Sequence, residues 1–126
     1  IYEGKVYKYD NSGRMTVATD VSATAYAVAI CSSYKANGDA KTMTAGEGHP
    51  FAMLGSNMLV HCYSANSATY AVGAAVYLDA VDGAVSTATT TGTVCIGTYE
   101  GIDDLVTTAV GDLVAVRLDR APGATA

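Results

Sequence analysis

The sequence predicts an all-β fold: a single small barrel or sandwich-like domain of about nine short strands with long loops and at most one short helix. Three observations predict it. Hydrophobic residues make up 50% of the 126 positions, yet with no Trp and one Phe the apolar content is mostly Ala, Val and Tyr. Val, Tyr and the frequent Thr suit pleated strands, and the 13 Gly suit the turns between them. Apolar residues alternate at a period of two in several segments, and no segment carries a convincing helical period. A chain of this length is expected to be one domain, 1–126, burying roughly two-thirds of its unfolded surface.

Taken in order, Ile1–Tyr9 reads as an extended segment with Lys5, Tyr7 and Tyr9 on one face and Val6 and Lys8 on the other. It is strand-forming and Tyr-rich. Two readings stay open: an N-terminal arm that adds to a partner's sheet edge, or the first strand of the domain's own sheet. Asp10–Gly13 is a turn and Arg14–Thr19 a second strand. Ala25–Cys31 is apolar on both faces and is expected to be central, although the Ala-rich stretch Ser22–Ala29 is where a short helix could intrude. Ser32–Gly48 reads as an exposed loop, long enough to be functional or internally structured, with one short strand around Lys41–Met43.

Phe51–Leu54 is the next strand, Gly55-Ser56-Asn57 a turn, and Met58–Tyr63 a further strand. The stretch Tyr70–Val85 then organises the second half. It holds a glycine turn, a strand in which Val76 and Leu78 alternate with Ala75 and Tyr77, and an Asp82-Gly83 turn suited to a hairpin. Its pattern returns at 109–119: both copies read Ala-Val-Gly, two residues, then Val and a strand ending in Leu-Asp. Between them lie strands at Ala84–Thr87, Thr93–Glu100 and Leu105–Thr108, and residues 120–126 form a tail.

The net charge of −5 and pI near 4.6, with the basic residues scattered singly, count against binding a nucleic-acid backbone. No apolar run approaches the ~20 residues of a membrane-spanning helix. Neither nucleic acid nor membrane is therefore an expected partner. Cys31, Cys62 and Cys95, an odd count in apolar contexts, are expected to be free and buried, made in a reducing compartment.

Groups for chemistry are few, and no catalytic, metal or cofactor site is expected. His61 and Cys62 are adjacent, so a strand points them to opposite faces. His49, before Pro50, could meet a cysteine only through the fold. Asp79, Asp82 and the Asp103-Asp104 pair sit at turns, where Asp serves the backbone, and they lack the ligand density of a Ca²⁺ loop. Thr44–Gly48 lacks the Lys and the following helix of a phosphate cradle. The nine Tyr stand out more, because Tyr joins a large ring to a polar tip and favours contact surfaces. Tyr2, Lys5, Tyr7 and Tyr9 are the candidate contact residues.

The order Gly73-Ala74-Ala75-Val76-Tyr77-Leu78-Asp79, Asp82-Gly83-Ala84-Val85, Val94-Cys95-Ile96-Gly97-Thr98 and Leu113-Val114-Ala115-Val116-Arg117-Leu118 resembles the small decoration (cement, or head-stabilising) proteins of tailed-bacteriophage capsids. The resemblance covers Tyr70–Leu118 well, Ala25–Tyr63 more loosely and Ile1–Thr24 least. It implies a non-enzymatic protein of the virion, made in the host cytoplasm. Such a protein binds the outer surface of the assembled icosahedral shell and bridges subunits of the major capsid protein, often as a homotrimer. No cofactor is implied. The alternative from the residues is a carbohydrate-binding or adhesive β module, although no Trp is present to stack on a sugar ring. A small enzyme is the third class.

Overall fold

Short apolar runs separated by turns give nine strands here and no helix among the described residues. The computed structural model describes residues 3–9, 15–18, 27–32, 48–65, 67–79, 83–87, 94–105 and 109–121. The strands are β1 (Val6–Tyr9), β2 (Met15–Val17), β3 (Ala27–Ala29), β4 (Phe51–Met53), β5 (Leu59–Tyr63), β6 (Ala75–Leu78), β7 (Val85–Ser86), β8 (Cys95–Tyr99) and β9 (Leu113–Arg117). They form two antiparallel sheets, one ordered β2-β1-β3-β4 and the other β5-β9-β8-β6-β7. The architecture is all-β and sandwich-like, as the sequence predicts.

Alternation decides which side chains meet between the sheets. On β6, Val76 and Leu78 are buried while Ala75 and Tyr77 are half-buried. On β9, Val114 and Val116 are buried and Leu113 is exposed. One apolar cluster joins both sheets: Val6, Val28, Ala52 and Leu54 from the first pack with Val60, Cys62, Val76, Leu78, Ile96 and Val116 from the second. Small and β-branched residues suffice because short strands of the two sheets bring many such groups together.

Backbone contacts stitch the sheets. Gly4 donates to the Ala29 carbonyl (2.8 Å) and accepts from Tyr63 N–H (2.8 Å), so one residue bonds the first sheet to the second. Only glycine fits there: its φ is +82°, and a Cβ would lie 2.6 Å from the Tyr63 backbone nitrogen. A second stitch runs through Gly83, which accepts from Val6 N–H (2.9 Å) and donates to the Ala18 carbonyl (2.7 Å).

Of the two readings open for Ile1–Tyr9, Val6–Tyr9 takes that of the domain's own first strand: it is β1, hydrogen-bonded to β2 on one side and β3 on the other. Its Tyr and Val content suits a central strand, and its neighbours are the domain's own. The stretch that could have turned helical ends instead in β3, at Ala27–Ala29, whose three residues are all buried; residues 22–26 lie outside the described set. Leu105 makes an isolated antiparallel bridge with Tyr70, and the rest of the expected strand Leu105–Thr108 lies outside the described residues. The expected strand at Lys41–Met43 also falls outside the described residues. Cys31 is exposed rather than buried, because the β3–β4 ladder stops at Ala29↔Phe51 and the chain bends away there. Cys62 and Cys95 are buried, and all three thiols are free.

Candidate interaction surface

The two Ala-Val-Gly copies build the same local structure. In each, the fourth residue donates back to the first: Ala74 N–H to the Ala71 carbonyl (2.9 Å) and Asp112 N–H to the Ala109 carbonyl (3.1 Å). Gly73 and Gly111 occupy the third position with φ of +88° and +93°. These are type II turns, which need positive φ at that position and leave the second residue at the tip. The tips are Val72, 53% exposed, and Val110, 52% exposed.

Sheet order brings the tips to one end of the molecule. β8 is antiparallel to both β6 and β9, so β6 and β9 run parallel and their entry turns lie together. The loop leaving β8 emerges at that same end and carries Ile102, which is 99% exposed. Leu113, the first residue of β9, is exposed there as well. Val72, Ile102, Val110 and Leu113 thus crown one end of the five-stranded sheet.

Carboxylates hold these turns and ring the apolar tips. Asp104 Oδ1 accepts from Val72 N–H (2.9 Å), and Asp112 Oδ2 accepts from Ala109 N–H (2.8 Å). Tyr99 O–H donates to the Asp103 carbonyl (2.8 Å), and Arg117 Nε donates to Glu100 Oε2 (2.8 Å). Asp104 therefore does the turn work that its sequence context suggests, Asp103 contributes its backbone carbonyl, and the end as a whole is apolar with an acidic rim.

The sequence-derived contact residues are scattered. Tyr9 is 47% exposed at the end of β1, but Tyr7 is 3% exposed and packs edge-on to Phe51, with ring centroids 5.3 Å apart. Burial removes Tyr7 from any surface role. Lys5 Nζ lies 4.9 Å over the Tyr63 ring, a cation–π contact on the body of the domain. Tyr2 lies outside the described residues. The apolar crown was not anticipated, although the repeated Ala-Val-Gly was visible; its meaning depends on β6 and β9 being parallel.

Adjacency separates one histidine from its cysteine, and the fold brings the other histidine to one. His61 is exposed and Cys62 buried, on opposite faces of β5 as adjacency requires. His61 Nδ1 lies 3.7 Å from Glu3 Oε1. His49 does meet a cysteine: its Nε2 is 3.8 Å from Cys31 Sγ and 2.8 Å from the Cys31 carbonyl oxygen. A carbonyl only accepts, so Nε2 carries the hydrogen and cannot take the proton of the thiol in this arrangement. The pair is not set up as nucleophile and base. No group of three or more His, Cys, Asp or Glu side chains stands at metal-binding spacing among the described residues.

The strongly shifted groups belong to the core. Burial pushes the Cys62 thiol up to about 12 and also raises Cys95. Burial likewise raises Tyr70 to about 12, partly offset by the hydrogen bond from Ser64. The Tyr70 hydroxyl lies 2.9 Å from Ser64 Oγ and donates to the Val85 carbonyl (3.0 Å), so it ties the strand entering β6 to β7 from inside. No helix among the described residues is long and apolar enough to cross a membrane. Comparison with protein-family models, with curated proteins and with solved structures returns no match.

Proposed function

We propose that this chain is a non-enzymatic structural protein of a virus particle, one that binds the outer surface of the assembled icosahedral capsid and stabilises it by bridging subunits of the major capsid protein. The reading rests on the resemblance carried by Tyr70–Leu118. The single observation that supports it best is the apolar crown of Val72, Ile102, Val110 and Leu113. A fully exposed Ile at a loop tip, beside two exposed Val on braced turns, is the kind of anchor that fills a pocket on a partner. The acidic rim suits a partner surface that is basic around that pocket.

The test uses purified icosahedral shells of tailed bacteriophages, assembled without the chain itself. Co-sedimentation is expected to show saturable binding, and bound shells are expected to resist heat longer than bare ones. Replacing Val72 and Ile102 by Ser is expected to weaken binding roughly tenfold or more, the loss typical of removing anchor residues, while leaving the circular dichroism unchanged. Absence of binding to shells, or binding to a glycan array instead, overturns the proposal.

A further inference from the structure

The loop that carries Ile102 is held at both ends and from within. Tyr99, at its start, is buried with its ring centroid 5.3 Å from that of Tyr70. Its N–H donates to the Ala74 carbonyl (2.8 Å) and its carbonyl accepts from Gly73 N–H (2.9 Å). At the far end Leu105 and Tyr70 exchange N–H to carbonyl bonds, both 2.7 Å. Between these ends the Tyr99 hydroxyl reaches the Asp103 carbonyl (2.8 Å), and Gly101 lies so close to that hydroxyl that a Cβ there would overlap it. The backbone therefore folds around the Tyr99 hydroxyl and leaves Ile102 at the apex, already in one shape before a partner arrives. Pre-ordering of this kind lowers the entropy lost on binding.

The carboxylates at this end are not equivalent. Asp104 is spent on Val72 N–H, Asp112 on Ala109 N–H, and Glu100 on Arg117. Asp103 gives the fold only its backbone carbonyl; among the described residues its exposed carboxylate makes no hydrogen bond or ion pair. The apex of the braced loop thus presents a fully exposed aliphatic side chain and, next to it, an unspent negative charge.

We infer that Ile102 and Asp103 form a two-point anchor: Ile102 fills an apolar pocket on a capsid subunit, and Asp103 pairs with a Lys or Arg side chain at the mouth of that pocket. The inference rests on the capsid reading and adds to it the chemistry of the partner's site. The two points act on different steps. Ile102 buries its apolar surface only once docked, so it holds the complex together and governs dissociation. Asp103 attracts its partner charge from a distance, so it speeds encounter and is screened by salt. The chain as a whole is acidic, with a net charge of −5. A general attraction to a basic shell would draw on every exposed carboxylate alike, whereas the anchor draws on Asp103.

The test passes the full chain over immobilised, purified shells of tailed bacteriophages and reads association and dissociation rates as salt is raised. Ile102→Ser is expected to speed dissociation roughly tenfold or more at every salt concentration. Asp103→Asn is expected to slow association roughly fivefold at low salt, with the gap closing towards about 1 M, where the screening length is about 3 Å. Asp103→Lys widens that gap. Neither position supplies a side chain to the folded core, so the circular dichroism is expected to stay unchanged. Asp119→Asn, which removes the same charge beyond the other end of β9 and keeps an acceptor for Thr98, is expected to leave association as it is. Equal association rates for Asp103→Asn and the native chain, or an equal loss with Asp119→Asn, overturn the anchor and leave the capsid reading standing. Absence of native binding to shells overturns both.

Discussion

At the scale of single residues, the buried ionisable groups set an alkaline limit on stability. Cys62 ordinarily ionises near 9.0 and Tyr70 near 10.0, and burial in the folded state raises each to about 12. Above about pH 9 the unfolded chain loses protons that the folded chain keeps, so the unfolded state gains and stability falls as pH rises. The contribution is intact below the ordinary values and is lost between them and about 12, with a limiting slope of about 1.4 kcal/mol per pH unit for each group. Urea midpoints are expected to fall between about pH 8 and about pH 10.5, and Cys62→Ala is expected to make that fall shallower by removing one of the two buried thiols that begin to titrate near 9.0 in the unfolded chain. A flat profile in the native chain counts against this account. Gly4 gives a second residue-scale expectation. Gly4→Ala forces a Cβ against the Tyr63 backbone at a φ that L residues rarely adopt, and it is expected to cost about 3 kcal/mol by chemical denaturation. A change below about 0.5 kcal/mol would show that the stitch is dispensable.

At the scale of elements, β1 was the most ambiguous segment of the chain. A Tyr-rich, turn-poor N-terminus suits an arm on another protein's sheet as well as it suits a first strand, because both use the same extended backbone and the same alternation. The deciding fact is that its hydrogen bonds go to β2 and β3. Removing residues 1–9 takes away an interior strand and the Gly4 stitch, so the truncated chain is expected to lose its cooperative unfolding transition and its dispersed amide spectrum. A truncated protein that stays folded would restore the arm reading. The two Ala-Val-Gly turns were legible for the opposite reason: a type II turn is fixed by residues next to one another in sequence.

At the scale of the whole molecule, the edges bear on assembly. β5 is met beyond its paired side by Gly4, and the residue after it bridges in parallel to β7. Among the described residues no strand lies beyond β4, and Met53 and Ile30 are exposed in its neighbourhood. Packing such an edge against another copy protects it, and on that ground we propose the homotrimer that the resemblance implies. Light scattering is expected to give three times the 12.8 kDa chain mass at high concentration or on shells; a monomer under both conditions would remove the trimer from the proposal.

The sequence by itself determined the fold class, the positions of most strands and the turns that begin β6 and β9. Strand alternation and turn chemistry are properties of adjacent residues, and here they agree with the final structure. Only the tertiary structure decided the rest. Burial of Tyr7 depends on Phe51 lying across β3, and the exposure of Cys31 on where the β3–β4 ladder ends. The meeting of Cys31 with His49 depends on β3 and β4 being neighbours, and the gathering of Val72, Ile102 and Val110 at one end depends on two strands flanking β8. Each of these is a pairing between residues far apart in the chain. Local pattern says that a segment is a strand, but which neighbour it takes and in what register is settled by packing the core.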